Sequence, residues 1–156
     1  MNDYEIYALC NNRNKDFVLE FLDKFLPNRI ELADDYAYPQ FTSEIQNIFK
    51  DYKELLDILE INHNETYALY WKSTDHDDIS NVMVFFTEDK GMIVGIVVNN
   101  HVEKWFEKVV AFTKSSYAYA SFNTEEPPPE TQEEFIDICC TSGSFYTYKI
   151  CDCRSK

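Results

Sequence analysis

Glycine is scarce in this chain, with three residues in 156, and no glycine-rich phosphate loop is present. The motifs G-x-S-x-G, G-x-G-x-x-G and H-E-x-x-H are also missing, so the common signatures of hydrolases, dinucleotide enzymes and zinc proteases are absent. Proline is rare as well, with five residues, which favours regular helices and strands joined by short turns. We therefore predict a protein that is not an enzyme, with no catalytic residues and no cofactor.

Long apolar runs are missing too. None approaches the roughly 18 residues that a membrane-spanning helix needs. The first residues, 1–6, lack the basic and apolar regions of a signal peptide. The five cysteines are an odd number in a chain of this size, which is typical of reduced thiols in the cytoplasm. These features predict a cytoplasmic protein that does not enter a membrane.

The cysteines near the C-terminus allow two interpretations, a zinc cluster or buried free thiols. Cys139 and Cys140 are adjacent in a predicted helix, where their side chains diverge by about 100°. Cys151 and Cys153 are separated by one residue, closer than the spacing usual for paired zinc ligands. This spacing favours buried thiols, and we predict no metal.

Basic residues are few relative to acidic ones. The chain has 14 Lys and Arg against 28 Asp and Glu, a formal net charge of −14, yet 45% of its residues are hydrophobic and 16% are aromatic. A disordered acidic segment would lack that apolar content. The sequence therefore indicates a folded domain with a strongly acidic surface, which would repel nucleic acid and attract a basic protein.

Apolar periodicity predicts about four helices and about six or seven strands. The first predicted helix runs from the cap Asn14 to Leu26, and the second covers 43–60 and begins with the capping-box pair Ser43 and Gln46. The third follows the capping pair Asn100 and Glu103 and ends near Lys114. The fourth is capped by Thr131 and Glu134. The predicted strands are 4–10, 29–38, 66–71, 81–87, 92–98, 117–122 and 144–151. Helices and hairpins alternate too irregularly for a doubly wound sheet. We predict one domain, 1–156, with an α+β fold and a mixed, mainly antiparallel sheet.

The two most apolar strands, 81–87 and 92–98, are joined by the short segment 88–91. This pattern predicts a β-hairpin in which Gly91 supplies a positive φ. Since both strands are almost continuously apolar, we expect them to lie at the centre of the sheet and to be buried on both faces.

Three acidic clusters are candidate partner-binding sites. They are Asp34 and Asp35 with Tyr36 and Tyr38, then Asp75, Asp77 and Asp78, and finally Glu125, Glu126 and Glu130. Tyrosine beside carboxylate is typical of protein-recognition surfaces, and equally of edge strands. The loop 75–78, which contains His76, could alternatively form a metal site or an acid–base pair, but no further ligand occurs at a recognisable spacing.

A family resemblance rests on the core strands and one proline-rich turn, in segments that span roughly the central half of the chain. The segments are 67–71, the hairpin 82–86 and 92–96, Trp105 with Phe106, and 117–120 running into 125–129. They resemble the small acidic immunity proteins of bacterial contact-dependent and other polymorphic toxin systems. The resemblance implies a cytoplasmic protein that neutralises a cognate toxin domain by stoichiometric binding, often a nuclease such as an RNase that acts on tRNA. The alternatives are a small enzyme that uses the loop 75–78 and an acidic adaptor for a basic protein.

Overall fold

A computed structural model describes residues 3–75, 77–122, 128–141 and 146–151, without the side chains of 146–149 and 151. Nine strands and four helices form within these residues. In chain order they are β1 (Tyr4–Cys10), α1 (Lys15–Phe25), β2 (Arg29–Glu31), β3 (Tyr36–Tyr38), β4 (Asn47–Phe49), α2 (Tyr52–Ile61), β5 (Tyr67–Ser73), β6 (Ile79–Phe86), β7 (Met92–Val98), α3 (Val102–Thr113), β8 (Tyr117–Phe122), α4 (Gln132–Cys140) and β9 (Tyr146–Cys151).

Seven of the strands form one sheet in the order β2-β5-β6-β7-β1-β8-β9, and β3 and β4 form a separate two-stranded sheet. Every pairing in the described part of the chain is antiparallel. The α+β class, the mainly antiparallel sheet and the four helices predicted from the sequence are confirmed, although no parallel pairing occurs in the described residues. No helix in the described residues is both long and apolar enough to cross a membrane.

The centre of the main sheet is buried on both faces, as the apolar strands predicted. Alternate residues of β1 point to opposite faces. Ile6 and Ala8 pack with apolar residues of α1, α2 and α3, whereas Tyr7 and Leu9 pack with Phe135 of α4. Three helices therefore cover one face of the sheet, and α4 packs on the other.

Two of the predicted helix caps are confirmed. The side chain of Asn14 accepts a hydrogen bond from the Phe17 backbone N–H at 2.7 Å, and Thr131 accepts one from Glu134 at 3.1 Å. The predicted cap Asn100 is wrong. The N-cap of α3 is His101, which has a positive φ of 55° and no capping side-chain bond.

The helix predicted over 43–60 is too long at its N-terminal end. The observed helix α2 begins at Tyr52, where Asp51 accepts a hydrogen bond from the Lys53 backbone N–H. Residues 47–49 form β4 instead and pair with β3, placing Ala37 opposite Ile48. The Asp51 cap and the pairing with β3 override the capping-box pattern at Ser43, and Ile45 and Ile48 are exposed rather than part of a helical stripe.

The strand predicted over 29–38 is two strands in two different sheets. Its first part, β2, pairs with β5 so that Glu31 lies opposite Trp71. Its last part, β3, pairs with β4. The exposed residues 32–35 separate the two strands, so the chain leaves the edge of the main sheet after β2.

The hairpin of β6 and β7 is confirmed, but the role predicted for Gly91 is wrong. The positive φ in this turn, 72°, belongs to Lys90, and no glycine in the described residues has a positive φ. A Cβ atom at Gly91 would collide with the Gln132 side chain. A side chain at position 91 would force the side chain of Gln132, the first residue of α4, to move, and glycine avoids this.

Candidate protein-binding surface

The acidic loop 75–78 is tied into the structure by hydrogen bonds. Asp75 accepts one from the Asn28 side chain at 2.6 Å. Asp78 accepts one from the Trp105 indole N–H at 3.0 Å, and its Oδ2 lies 3.0 Å from Nδ1 of His101. These bonds from Trp105 and His101 lower the pKa of Asp78. The carboxylate of Asp78 therefore connects this loop to the beginning of α3.

Asp75, Asp77 and Asp78 come together at a cavity of about 450 Å³, as neighbours in sequence would suggest. The lining of this cavity also includes Lys24 and Lys104. The negative charge of the loop is partly offset by basic residues of the same chain. His76 lies outside the described residues.

A second acidic cavity, of about 700 Å³, adjoins β2 and includes Asp23, Glu31 and Asp34. Arg29 lies in its lining. Its guanidinium is 3.0 Å from the Asp23 carboxylate and donates a longer bond, 3.4 Å, to the Tyr52 hydroxyl. Arg29 therefore partly offsets the negative charge of this cavity.

Tyr36 and Tyr38 lie in the core rather than on an exposed recognition surface, because both are buried. The Tyr36 hydroxyl donates to Glu31 at 2.6 Å, and the Tyr38 hydroxyl accepts from Asn62 at 2.7 Å. The neighbouring carboxylates Asp34 and Asp35 are exposed. The sequence therefore predicted accessible carboxylates correctly at this position, but not accessible rings.

Two continuous exposed stretches, 30–35 and 41–48, flank β3. Together they contain five of the large apolar side chains that the described chain exposes, Ile30, Leu32, Phe41, Ile45 and Ile48. They also contain four carboxylates, Glu31, Asp34, Asp35 and Glu44, and neither stretch has a Lys or Arg. We refer to residues 30–35 and 41–48 as the acidic-apolar surface.

Most of this surface escaped the sequence analysis for two reasons. Ile45 and Ile48 were assigned to the apolar face of the helix predicted over 43–60. Ile30 and Leu32 were assigned to the strand predicted over 29–38. A usable signal was nevertheless present, because both stretches contain apolar and acidic residues and neither contains a basic residue. Exposed apolar side chains concentrated in one region are typical of a protein-interaction site.

The edge of β5 beside this surface carries no free backbone groups at Ala68. The Gln40 side-chain amide donates to the Ala68 carbonyl at 3.2 Å and accepts from the Ala68 N–H at 2.7 Å. Further along, the Leu32 N–H donates to the Tyr70 carbonyl at 3.2 Å. These backbone groups of β5 are already hydrogen-bonded within the chain, so a partner would not meet an open strand edge at these positions.

The third predicted cluster is described only in part. Glu130 is exposed, and its carbonyl accepts a hydrogen bond from the Glu88 N–H at 3.2 Å. Glu125 and Glu126 lie outside the described residues. Glu130 is followed by the exposed Glu133 and Glu134 in the first turn of α4.

The cysteines differ from the expectation of free thiols in one respect. Cys10 is buried, and burial raises the pKa of its thiol to about 12. Cys139 is buried in α4. Cys140 is disulfide-bonded. No group of three or more His, Cys, Asp and Glu residues converges as a metal site within the residues that the structure describes.

No protein-family model, no curated protein and no solved structure matches this chain. The functional assignment therefore depends on the chemistry of the chain's own surface. In the described part of the chain, the acidic-apolar surface combines exposed apolar area with four carboxylates and contains no Lys or Arg of its own. Two basic residues adjoin it, Lys50 beside Asp35 and Arg29 in the cavity that Glu31 and Asp34 line.

Proposed function

We propose that this protein is an immunity protein of the cytoplasm that binds a cognate bacterial toxin domain and neutralises it stoichiometrically. The toxin domain is a basic nuclease, such as an RNase that acts on tRNA. The observation that carries this proposal is the acidic-apolar surface, where five large apolar side chains and four carboxylates are exposed on two stretches that contain no Lys or Arg.

The two kinds of side chain on this surface contribute differently to binding. Carboxylates accelerate the encounter with a basic partner and align the two proteins. Apolar groups such as Leu32 and Phe41 lose contact with water in the complex, which supplies most of the affinity. A surface with both properties suits tight binding to a basic protein.

A nuclease has the complementary surface. It holds the phosphates of its substrate with Lys and Arg, so its substrate groove is positively charged. An acidic protein that occupies this groove, or the rim beside it, excludes the nucleic acid without catalysing any reaction. Under the same proposal the protein itself has no enzymatic activity, binds no cofactor and does not bind nucleic acid.

The proposal is tested with the gene directly upstream, which is where the toxin gene lies in systems of the kind that this chain resembles. The C-terminal domain of that gene product is expressed in cells with and without this protein. We expect growth arrest without it, normal growth with it, and a one-to-one complex on purification. Growth arrest that this protein does not relieve, together with no complex, would overturn the proposal.

One observation favours a second candidate function. The pairing of Asp78 with His101 at 3.0 Å could orient the imidazole as a general base beside the cavity of about 450 Å³. A small enzyme that uses the loop 75–78 would require this pairing. Turnover of a nucleotide or ester substrate by the wild-type protein, abolished in His101→Gln, would support this candidate over an immunity protein.

A further inference from the structure

A cavity of about 290 Å³ opens between β3 and β5, next to the acidic-apolar surface. The residues that decide its chemistry are Tyr36, Tyr67 and Tyr70, together with Leu32 and the carboxylate Asp35. No Lys or Arg contributes to its lining. The cavity thus combines aromatic residues and one acid with an absence of basic residues.

The tyrosines Tyr36 and Tyr67 are held in place by hydrogen bonds. The Tyr67 hydroxyl donates to the Ala37 carbonyl at 2.7 Å, and the Tyr36 hydroxyl donates to Glu31 at 2.6 Å. Burial first, and the charge of Asp35 second, raise the pKa of Tyr67 to about 12. Burial also raises the pKa of Tyr36, so both phenols are neutral at pH 7. Asp35 lies close enough to Tyr67 for its charge to affect that hydroxyl.

Lys50 is the basic residue nearest to Asp35 among the described contacts. Its Nζ lies 3.5 Å from Asp35 Oδ2, and 80% of the Lys50 side chain is exposed. An exposed ion pair of this kind contributes little to stability. Asp35 can therefore exchange Lys50 for another cation at small cost.

We propose that this cavity receives one arginine side chain of the partner, with the guanidinium beside the exposed ring of Tyr70 and paired with Asp35. Aromatic faces attract cations, and a guanidinium is flat, weakly hydrated and able to stack on a ring, unlike a lysine ammonium group. The inference rests on the proposed function, since it takes the partner to be a basic protein.

The test uses the protein alone with a small probe, N-acetyl-arginine amide. The matching neutral probe is N-acetyl-citrulline amide, which has nearly the same shape. In ¹⁵N-labelled protein we expect arginine amide to cause saturable shifts of the amide signals from 32–37 and 67–70, and citrulline amide to cause shifts at least about fivefold smaller at the same concentration. Equal binding of both probes would overturn the proposal, since the cavity would then not select a cation.

Variants determine whether Asp35 is the carboxylate responsible. Asp35→Asn should weaken arginine amide binding about fivefold or more, and Lys50→Gln should strengthen it by removing the competing cation. The matched control is Asp57→Asn, because Asp57 is similarly exposed and pairs with Lys15 at 3.0 Å outside this cavity. An equal effect of Asp57→Asn would mean diffuse charge attraction and would contradict the proposal.

The probe experiment needs no toxin, so its outcome is separate from that of the proposed function. If the probe fails while the protein still neutralises the upstream toxin domain, the arginine cavity is wrong and the immunity function remains. If the probe binds as expected but no toxin domain is neutralised, the cavity remains and the proposed function is wrong.

Discussion

The ring of Tyr7 occupies the space that a side chain at Gly95 would need. The two residues are directly paired between β1 and β7, and a Cβ atom built on Gly95 would lie 2.7 Å from Tyr7 Cδ1 and 2.8 Å from Cε1. The Tyr7 ring also contacts the rings of Phe85 on β6 and Tyr119 on β8. Gly95 thus allows aromatic contacts to continue across β7 on the face of the sheet covered by α4.

Gly95→Ala should therefore destabilise the fold by about 1–3 kcal/mol, because the added methyl group overpacks this site. The free energy of unfolding is measured by urea denaturation. Tyr7→Leu should remove most of this sensitivity, so that Gly95→Ala costs clearly less in the Tyr7→Leu background. Equal costs of Gly95→Ala in both backgrounds would show that Tyr7 is not the obstacle.

Arg13 is a buried cation held by carbonyl groups instead of carboxylates. Its guanidinium donates to the carbonyls of Leu59 and Thr87 at 2.9 and 2.7 Å. It also donates to three carbonyls of the segment after α2, those of Asn62, His63 and Glu65. Desolvation lowers the pKa of this guanidinium to about 10, which leaves it charged at pH 7. Arg13 therefore joins the end of α2 to the hairpin turn after β6.

Replacing Arg13 should be among the most destabilising single changes in the chain. Arg13→Met leaves buried carbonyls without donors, at about 1–3 kcal/mol each, so we expect a loss of at least about 3 kcal/mol in urea denaturation. Arg13→Lys should be intermediate, since an ammonium has three donors and the guanidinium makes five bonds. A loss below about 1 kcal/mol for Arg13→Met would contradict this role.

Local patterns were sufficient to predict most elements of this fold. The apolar strands β6 and β7 and the caps Asn14 and Thr131 depend on neighbours in sequence, which is why the sequence located them. The incorrect predictions concern positions where contacts between residues distant in sequence determine the structure. The pairing of β3 with β4 replaced the first part of the helix predicted over 43–60, and the approach of Gln132 explains Gly91.

For the candidate site, the sequence indicated which residues are charged but not which are accessible. Asp34 and Asp35 are exposed as expected, whereas Tyr36 and Tyr38 are buried against residues distant in sequence. Likewise, the bonds of Asp78 to His101 and Trp105 bring together residues more than 20 positions apart. Such contacts depend on the tertiary fold and leave no local pattern.

Asp78 should make stability depend on acid pH. Hydrogen bonds from Trp105 and His101 lower its pKa in the folded protein. The resulting stabilisation is complete above the unfolded pKa of about 3.9 and is lost as the pH falls through the lower folded value. Asp78→Asn should therefore reduce the free energy of unfolding at pH 7 by about 1 kcal/mol, with a smaller difference below pH 4. The exposed neighbour Asp77 is the control, and an equal effect of Asp77→Asn would contradict this assignment.

Phe41 should matter for binding but not for folding, because 85% of it is exposed. Phe41→Ser should change the free energy of unfolding by less than about 0.5 kcal/mol. In the complex with the upstream toxin domain it should raise the Kd about 30-fold or more, the effect of losing a central apolar anchor. The matched control is Ile61→Ser, which removes a similarly exposed apolar side chain (73%) at the end of α2. The Kd values of both variants are measured by titration calorimetry. An equal loss of affinity for Ile61→Ser would show that the interface lies elsewhere.

The central claim, that the acidic-apolar surface binds a basic toxin domain, is tested most directly by stopped-flow association with that domain. The double variant Asp34→Lys/Asp35→Lys is compared with the double variant Glu20→Lys/Glu107→Lys. The control changes the net charge by the same amount at exposed positions on α1 and α3. We expect the on-rate of the first variant to fall about tenfold or more at low salt and that of the control about threefold or less, with the difference shrinking as salt screens charges over about 8–10 Å. Equal on-rates for the two variants, or an on-rate that does not depend on salt, would contradict the account.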